Sequence, residues 1–141
     1  MYAVIRLRGS INLRKDIKDT LAMLRLNRKM HCVLIKENDV MKGMLQKVRN
    51  WITWGEVDDD ILKLLIAKRA RKIADKKLTE QEAEEVFKKI KENQKVPEGV
   101  KPVFRLTPPS KGFKESIKQH YPAGELGYRG KEINELLKRM I

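Results

Sequence analysis

Residues 32–57 read CVLIKENDVMKGMLQKVRNWITWGEV, and the alternation of patterns within them sets the fold. Cys32-Val33-Leu34-Ile35 is a short apolar run with branched side chains, which predicts a buried strand rather than a helix. Asn38 and Asp39 offer side-chain oxygens to the unsatisfied amides of a helix start. Met41, Met44 or Leu45, Val48 and Ile52 then recur at spacings of three and four. That spacing puts them on one helix face and turns Lys42, Lys47 and Arg49 outward. Gly43 shares the outer face, where a missing side chain lets another backbone come close. Ile52 to Val57 predicts the next strand, so this stretch is strand, helix, strand.

Toward the N-terminus the same alternation appears once more. Tyr2 to Arg8 places Ala3, Ile5 and Leu7 on one side and Tyr2, Val4, Arg6 and Arg8 on the other, as a half-buried strand does. Gly9-Ser10 turns the chain. Leu13, Ile17, Leu21 and Leu24 then mark an amphipathic helix with Lys15, Lys18 and Arg25 between them. Asn27, Arg28 and Lys29 break that pattern just before the strand at Cys32.

Toward the C-terminus, Asp58-Asp59-Asp60 suits the positive end of a helix through Ile61, Leu62, Leu65 and Ile66, and Lys68, Arg69, Arg71 and Lys72 suit its other end. Thr79-Glu80-Gln81-Glu82 has the spacing of a capping box ahead of Ala83, Val86, Phe87 and Ile90. Pro97 to Pro102 closes that region. Val103 to Leu106 predicts a short edge strand, and Pro108-Pro109-Ser110-Lys111-Gly112 a loop. A long irregular connection, punctuated by Gly124, Gly127 and Gly130, leads to a last helix through Ile133, Leu136, Leu137 and Met140. The segments divide as residues 1–57, 58–99 and 100–141 within one compact unit, in keeping with a chain of 141 residues.

Charge narrows the function. The chain carries 32 Lys and Arg against 19 Asp and Glu, a net +13, and self-repulsion of that size calls for an anionic partner. The excess is uneven: 12 basic and 5 acidic residues in 1–56, 11 and 10 in 57–99, and 9 and 4 in 100–141. Two basic flanks around a nearly neutral middle suggest that the flanks meet phosphate and the middle meets solvent or protein. No apolar run is long enough for a membrane span, and no helix pairs a basic face with a broad lipid-inserting one. One cysteine permits no internal disulfide, which fits a reducing cytoplasm. His31, Cys32 and His120 lack zinc-ligand spacing, Asp58 to Asp60 lack the pattern of a calcium loop, and no nucleophile or phosphate-cradling motif is visible. Neither a catalytic residue nor a metal, cofactor or small-molecule substrate is expected.

The residues expected to hold RNA follow from charge and position. Arg6 and Arg8 leave the first strand beside Ser10 and the turn amides, a combination suited to phosphate. Arg25, Asn27, Arg28 and Lys29 place three cations and an amide at a helix end. Lys42, Lys47 and Arg49 line a helix face. Trp51 and Trp54 can stack on unpaired bases, although large rings are more often packing residues, so at least one is expected in the core, with Trp54 kept as the stacking candidate. In the tail, Arg105, Lys111, Phe113, Tyr128 and Arg129 interleave cations with aromatic rings in what reads as a loop that orders on RNA.

These segments carry a family resemblance. LRLNRKMHCVLI (24–35) and NDVMKGMLQKVRNWITWGEV (38–57), after a strand, a Gly-Ser turn and a helix, resemble the L-thirty family of large-subunit ribosomal proteins. KPVFRLTPPSKGF (101–113) and GELGYRGKEINELLKRM (124–140) resemble its longer archaeal and eukaryotic versions. The resemblance implies an α+β fold: a β-α-β-α-β core with a three-stranded antiparallel sheet, related to half of a ferredoxin-like fold, plus added helices and an extended C-terminal segment. It also implies a cytoplasmic, ribosome-bound structural protein whose partners are large-subunit ribosomal RNA and other ribosomal proteins, a monomer when free. Two other classes remain to be weighed: an acylphosphatase-like enzyme using Arg8 and Asn27, and a regulatory nucleic-acid binder acting away from the ribosome.

Overall fold

The computed structural model describes residues 1–141 except 10, 12, 75 and 94, so the expectation at Ser10 falls outside the described residues. Strands β1 (Tyr2–Arg6), β2 (His31–Ile35) and β3 (Ile52–Glu56) alternate with helices α1 (Lys15–Met23) and α2 (Asp39–Lys47). This is the expected β-α-β-α-β order. β1 lies between β2 and β3 and runs antiparallel to both, with Val4 opposite Val33 on one side and Trp54 on the other. The Asn38 side chain caps α2 by accepting from the Met41 amide at 2.8 Å, so that cap was legible in the sequence.

The sheet is wider than three strands. Helices α3 (Asp59–Arg69) and α4 (Glu80–Asn93) are followed by β4 (Val103–Arg105), β5 (Ser116–His120), β6 (Gly124–Tyr128), a 3-10 turn at Gly130–Glu132 and helix α5 (Ile133–Met140). The strand order is β4-β2-β1-β3-β6-β5. β4 is the predicted edge strand, antiparallel to β2, while β6 adds parallel to β3 with Thr53 opposite Gly127. The segment around Gly124 and Gly127 is therefore strand and not irregular chain. Its glycines serve close packing: a Cβ at Gly124 would fall on the Gln119 carbonyl, and Gly127 takes φ +84°.

Two cores flank the sheet. Ile17, Leu21, Leu24 and Leu26 from the α1 region and Leu45 and Val48 from the α2 region close over Tyr2, Val4, Val33, Ile52 and Trp54. Ala3, Ile5, Leu7, Cys32 and Leu34 face the opposite way into side chains of α3, α4 and α5. β1 is thus buried on both faces and not half-buried, because the second helical layer covers the face that a three-stranded unit would leave open. Ile133, Leu136, Leu137 and Met140 seat α5 as their spacing predicted. Asn134 fixes it: its side chain accepts from the Asp58 amide at 2.7 Å and donates to the Glu56 and Lys131 carbonyls at 3.0 and 2.9 Å. Thr79 caps α4 through the Glu82 amide at 3.3 Å, and the Glu82 carboxylate goes to Lys72 Nζ.

Candidate nucleic-acid interface

β1 stops at Arg6 where β2 starts at His31 and β3 at Ile52, so three loops meet at one end of the sheet. Backbone bonds lock them together: the Leu7 and Arg8 amides donate to the Trp51 carbonyl at 2.9 and 3.3 Å, and the Met30 amide donates to the Arg6 carbonyl at 2.7 Å. α1 ends there in a Schellman turn, with the Leu26 amide bonded to the Leu21 carbonyl and the Arg25 amide to the Ala22 carbonyl. Arg25 occupies the left-handed position of that turn at φ +63°, where glycine is usual. The side chain that sequence reasoning assigned to RNA thus sits where backbone strain argues against any side chain.

Arg6 is only 2% exposed. Its Nε donates to the Arg8 carbonyl at 2.8 Å and its Nη1 to the Leu26 carbonyl at 2.7 Å. Arg6 is therefore an internal tie and not a surface group, as the two-sided burial of β1 requires. Arg8, half-buried, donates from Nη1 to the Asn50 carbonyl at 3.3 Å and carries its guanidinium carbon 6.0 Å from the centre of the Trp51 ring. Lys29 lies along Gly9, its Cε 2.9 Å from where a Cβ there would stand. Arg105 is opposite His31 in the β2–β4 pairing. Burial, then the nearby charges of Arg105, Arg28 and Arg6 in that order, hold the His31 imidazole below its ordinary value.

Arg25, Asn27, Arg28 and Lys29 are exposed at this end, and Lys47 and Arg49 are exposed at the close of α2. Arg25, Arg28, Lys29, Lys47 and Arg49 form no ion pair among the described residues. Asn50 and His120, which sequence reasoning missed, join the same rim, with Asn50 Oδ1 2.7 Å from His120 Nε2. Nothing near His120 in the sequence signals this, since its position depends on β5 and β6.

The remaining candidates lie elsewhere. Lys42 is exposed on α2, where its charge acts on Tyr2 together with Glu37 and Glu56. Tyr128 is 49% exposed. Its hydroxyl donates to Glu56 Oε1 at 2.6 Å, a bond that, with burial second, pushes the phenol up to about 12. Trp54 is 4% exposed and packs against Tyr128 with ring centres 6.1 Å apart. Its ring belongs to the core, and Trp51 is the tryptophan near the surface. Arg129 is also internal: Nη2 pairs with Glu125 Oε2 at 2.7 Å, Nε donates to Thr53 Oγ1 at 2.8 Å, and a further bond runs to the Glu125 carbonyl. Lys111 is exposed and Phe113 half-buried in a loop held by α5, where Arg139 bonds the Ser110 and Gly112 carbonyls. Among the described residues no group of three His, Cys, Asp or Glu could hold a metal, and no helix is long and apolar enough to cross a membrane.

Residues 2–52 match the family described as Ribosomal protein L30p/L7e. The large ribosomal subunit protein uL30 of Methanosphaera stadtmanae is 45% identical across the whole of both chains. That of Thermoplasma volcanium is 46% identical over all of this chain and 93% of its own, and that of Archaeoglobus fulgidus 44% identical over 99% of each. These similarities cover the chain through β4, β6 and α5, well past the matched residues 2–52. The chain belongs to the L30p/L7e family of ribosomal proteins, structural proteins that catalyse no reaction.

Proposed function

We propose that this chain is a structural constituent of the large ribosomal subunit that binds and stabilises ribosomal RNA, with the cation-rich end of its sheet as the main contact. One observation carries the reading: Arg8, Arg25, Arg28 and Lys29 collect on loops that backbone bonds and buried Arg6 hold rigid. A rigid array of cations binds phosphate without the entropic cost of ordering it first. Lys47 and Arg49 extend the array along α2, and Arg105 extends it across β4. Lys111, on the loop held by α5, is a separate contact reached from the tail. The α3–α4 layer, where basic and acidic residues nearly balance, faces solvent or neighbouring ribosomal proteins. The free protein is a monomer, and its working location is the cytoplasmic ribosome.

Filter binding of the full chain to transcribed archaeal large-subunit ribosomal RNA and to duplex DNA, across a salt series, tests this. Preference for the ribosomal RNA, with a slope on the order of 6–10 released counterions, is the expected result. A slope of about one or two, or preference for DNA, sinks the reading.

A further inference from the structure

We infer that Arg8 and Trp51 form a stacking shelf for an unpaired nucleobase, so that the cation-rich end recognises single-stranded or bulged RNA and not duplex alone. The inference rests on the RNA-binding reading above and adds to it the class of RNA element bound. Phosphate needs only charge, and Lys29 and Arg28 supply it. Arg8 offers something different. Its guanidinium carbon lies 6.0 Å from the Trp51 ring centre, and its Nη1 is tied to the Asn50 carbonyl at 3.3 Å. A planar cation poised over the indole at cation–π distance and tied by a hydrogen bond is oriented before any ligand arrives. Guanidinium planes and aromatic rings are the two surfaces on which proteins stack bases splayed out of an RNA helix.

The surroundings suit that use. The Arg8 amide shares the Trp51 carbonyl with the Leu7 amide, so the two residues are fixed through the backbone as well as the side chain. Trp51 packs partly against the α1–α2 core, which keeps the indole from turning away. Asn50, whose carbonyl holds Arg8, also carries a side chain bonded to His120 at 2.7 Å, so an amide and an imidazole adjoin the shelf. Lys29, along Gly9, is placed for the phosphate attached to that base. Trp54 is enclosed by Tyr128 and β1 and cannot take this role.

The test compares a short single-stranded RNA with the duplex of the same sequence, both bound to the full chain at one salt concentration and followed by anisotropy of a labelled strand. Arg8→Lys keeps the charge and removes the planar fork, whereas Trp51→Leu keeps the apolar packing and removes the ring. The shelf predicts that each lowers the ratio of single-strand to duplex binding about tenfold, as expected for loss of one stacked base. Tryptophan emission of the wild type should be quenched by the single strand more than by the duplex. Circular dichroism melting keeps misfolding apart from loss of the shelf; should Trp51→Leu melt early, Arg8→Lys and the quenching still decide. If Arg8→Lys binds single strand as the wild type does, the contact is charge alone and the shelf is wrong, with the RNA-binding reading intact. If the wild type binds neither RNA, the RNA-binding reading fails and the shelf with it.

Discussion

The two helical layers of this protein use the same basic residues to opposite ends. On the side of α3, α4 and α5, cations are matched from within: Lys91 to Asp59 at 2.6 Å, Lys72 to Glu82 at 2.9 Å, Lys114 to Glu135 at 2.9 Å and, buried, Arg129 to Glu125 at 2.7 Å. On the side of α1 and α2, Arg25, Arg28, Lys29, Lys47 and Arg49 have no such partners among the described residues. The first layer commits several of its cations to ion pairs that tie its elements together. The second concentrates its unpaired cations at the end of the sheet, where the proposed RNA contact lies. An arginine count could not have separated the two, because the difference lies in where carboxylates stand.

The sharpest way to break the contrast is at the buried pair. Glu125 and Arg129 have side chains 6% exposed, and Glu125→Ala strands a guanidinium away from water, which costs about 3–5 kcal/mol. Urea unfolding should show that loss, while the salt slope of RNA binding, measured where the variant is still folded, stays as in the wild type. A changed slope would mean that Arg129 belongs to the interface after all.

Arg25 sharpens the contrast from the other side. Because it holds the left-handed position of the α1 turn, Arg25→Gly relieves strain and should leave stability unchanged or raise it by up to about 1 kcal/mol. The same change removes one of the cations proposed to meet phosphate and should lower the salt slope by about 1. Stability and binding moving in opposite directions would identify the residue as kept for its charge.

The smallest effect is a proton. His31 sits below its ordinary value chiefly through burial and then through Arg105, Arg28 and Arg6, so the folded protein takes up its proton at lower pH than the unfolded chain. As pH falls below about 6.5, the unfolded state binds more protons and stability declines, whereas above that value the contribution is constant. His31→Gln should flatten this acid-side slope in melts recorded between neutral and mildly acidic pH; an unchanged slope would place the decline elsewhere.

Much of the fold was readable because local patterns carried it. β1, β2 and β3 announced themselves by apolar runs or alternation, α2 by Asn38, and α5 by Ile133, Leu136, Leu137 and Met140. What stayed hidden was non-local. The alternation in β1 predicted an outward Arg6, yet the same outward parity also held Tyr2 and Val4, and only the arrangement of two helical layers shows both faces covered. β6 was read as loop because its glycines count as breakers locally, while Gly124 and Gly127 in fact make room for Gln119 and His120. For the candidate site, charge and position picked out Arg8, Arg25, Arg28 and Lys29, which the fold gathers at one end of the sheet. Sequence reasoning kept Trp54 as the stacking candidate, yet both tryptophans meet the α1–α2 core and Trp54 is the one buried in it, while Trp51 is only partly covered.

The placement of β6 also has a consequence for the order in which the chain can be completed. Thr53 bonds the Gly127 carbonyl across 74 residues, and Asn134 reaches Asp58 across 76. On a growing chain, the first three strands and two helices are synthesised long before the strand that covers the outer rim of β3. Until then that rim is an open template for other strands. Distant pairings of this kind slow folding, and the outer edge of β3 can be covered only after α3, α4, β4 and β5 have been synthesised.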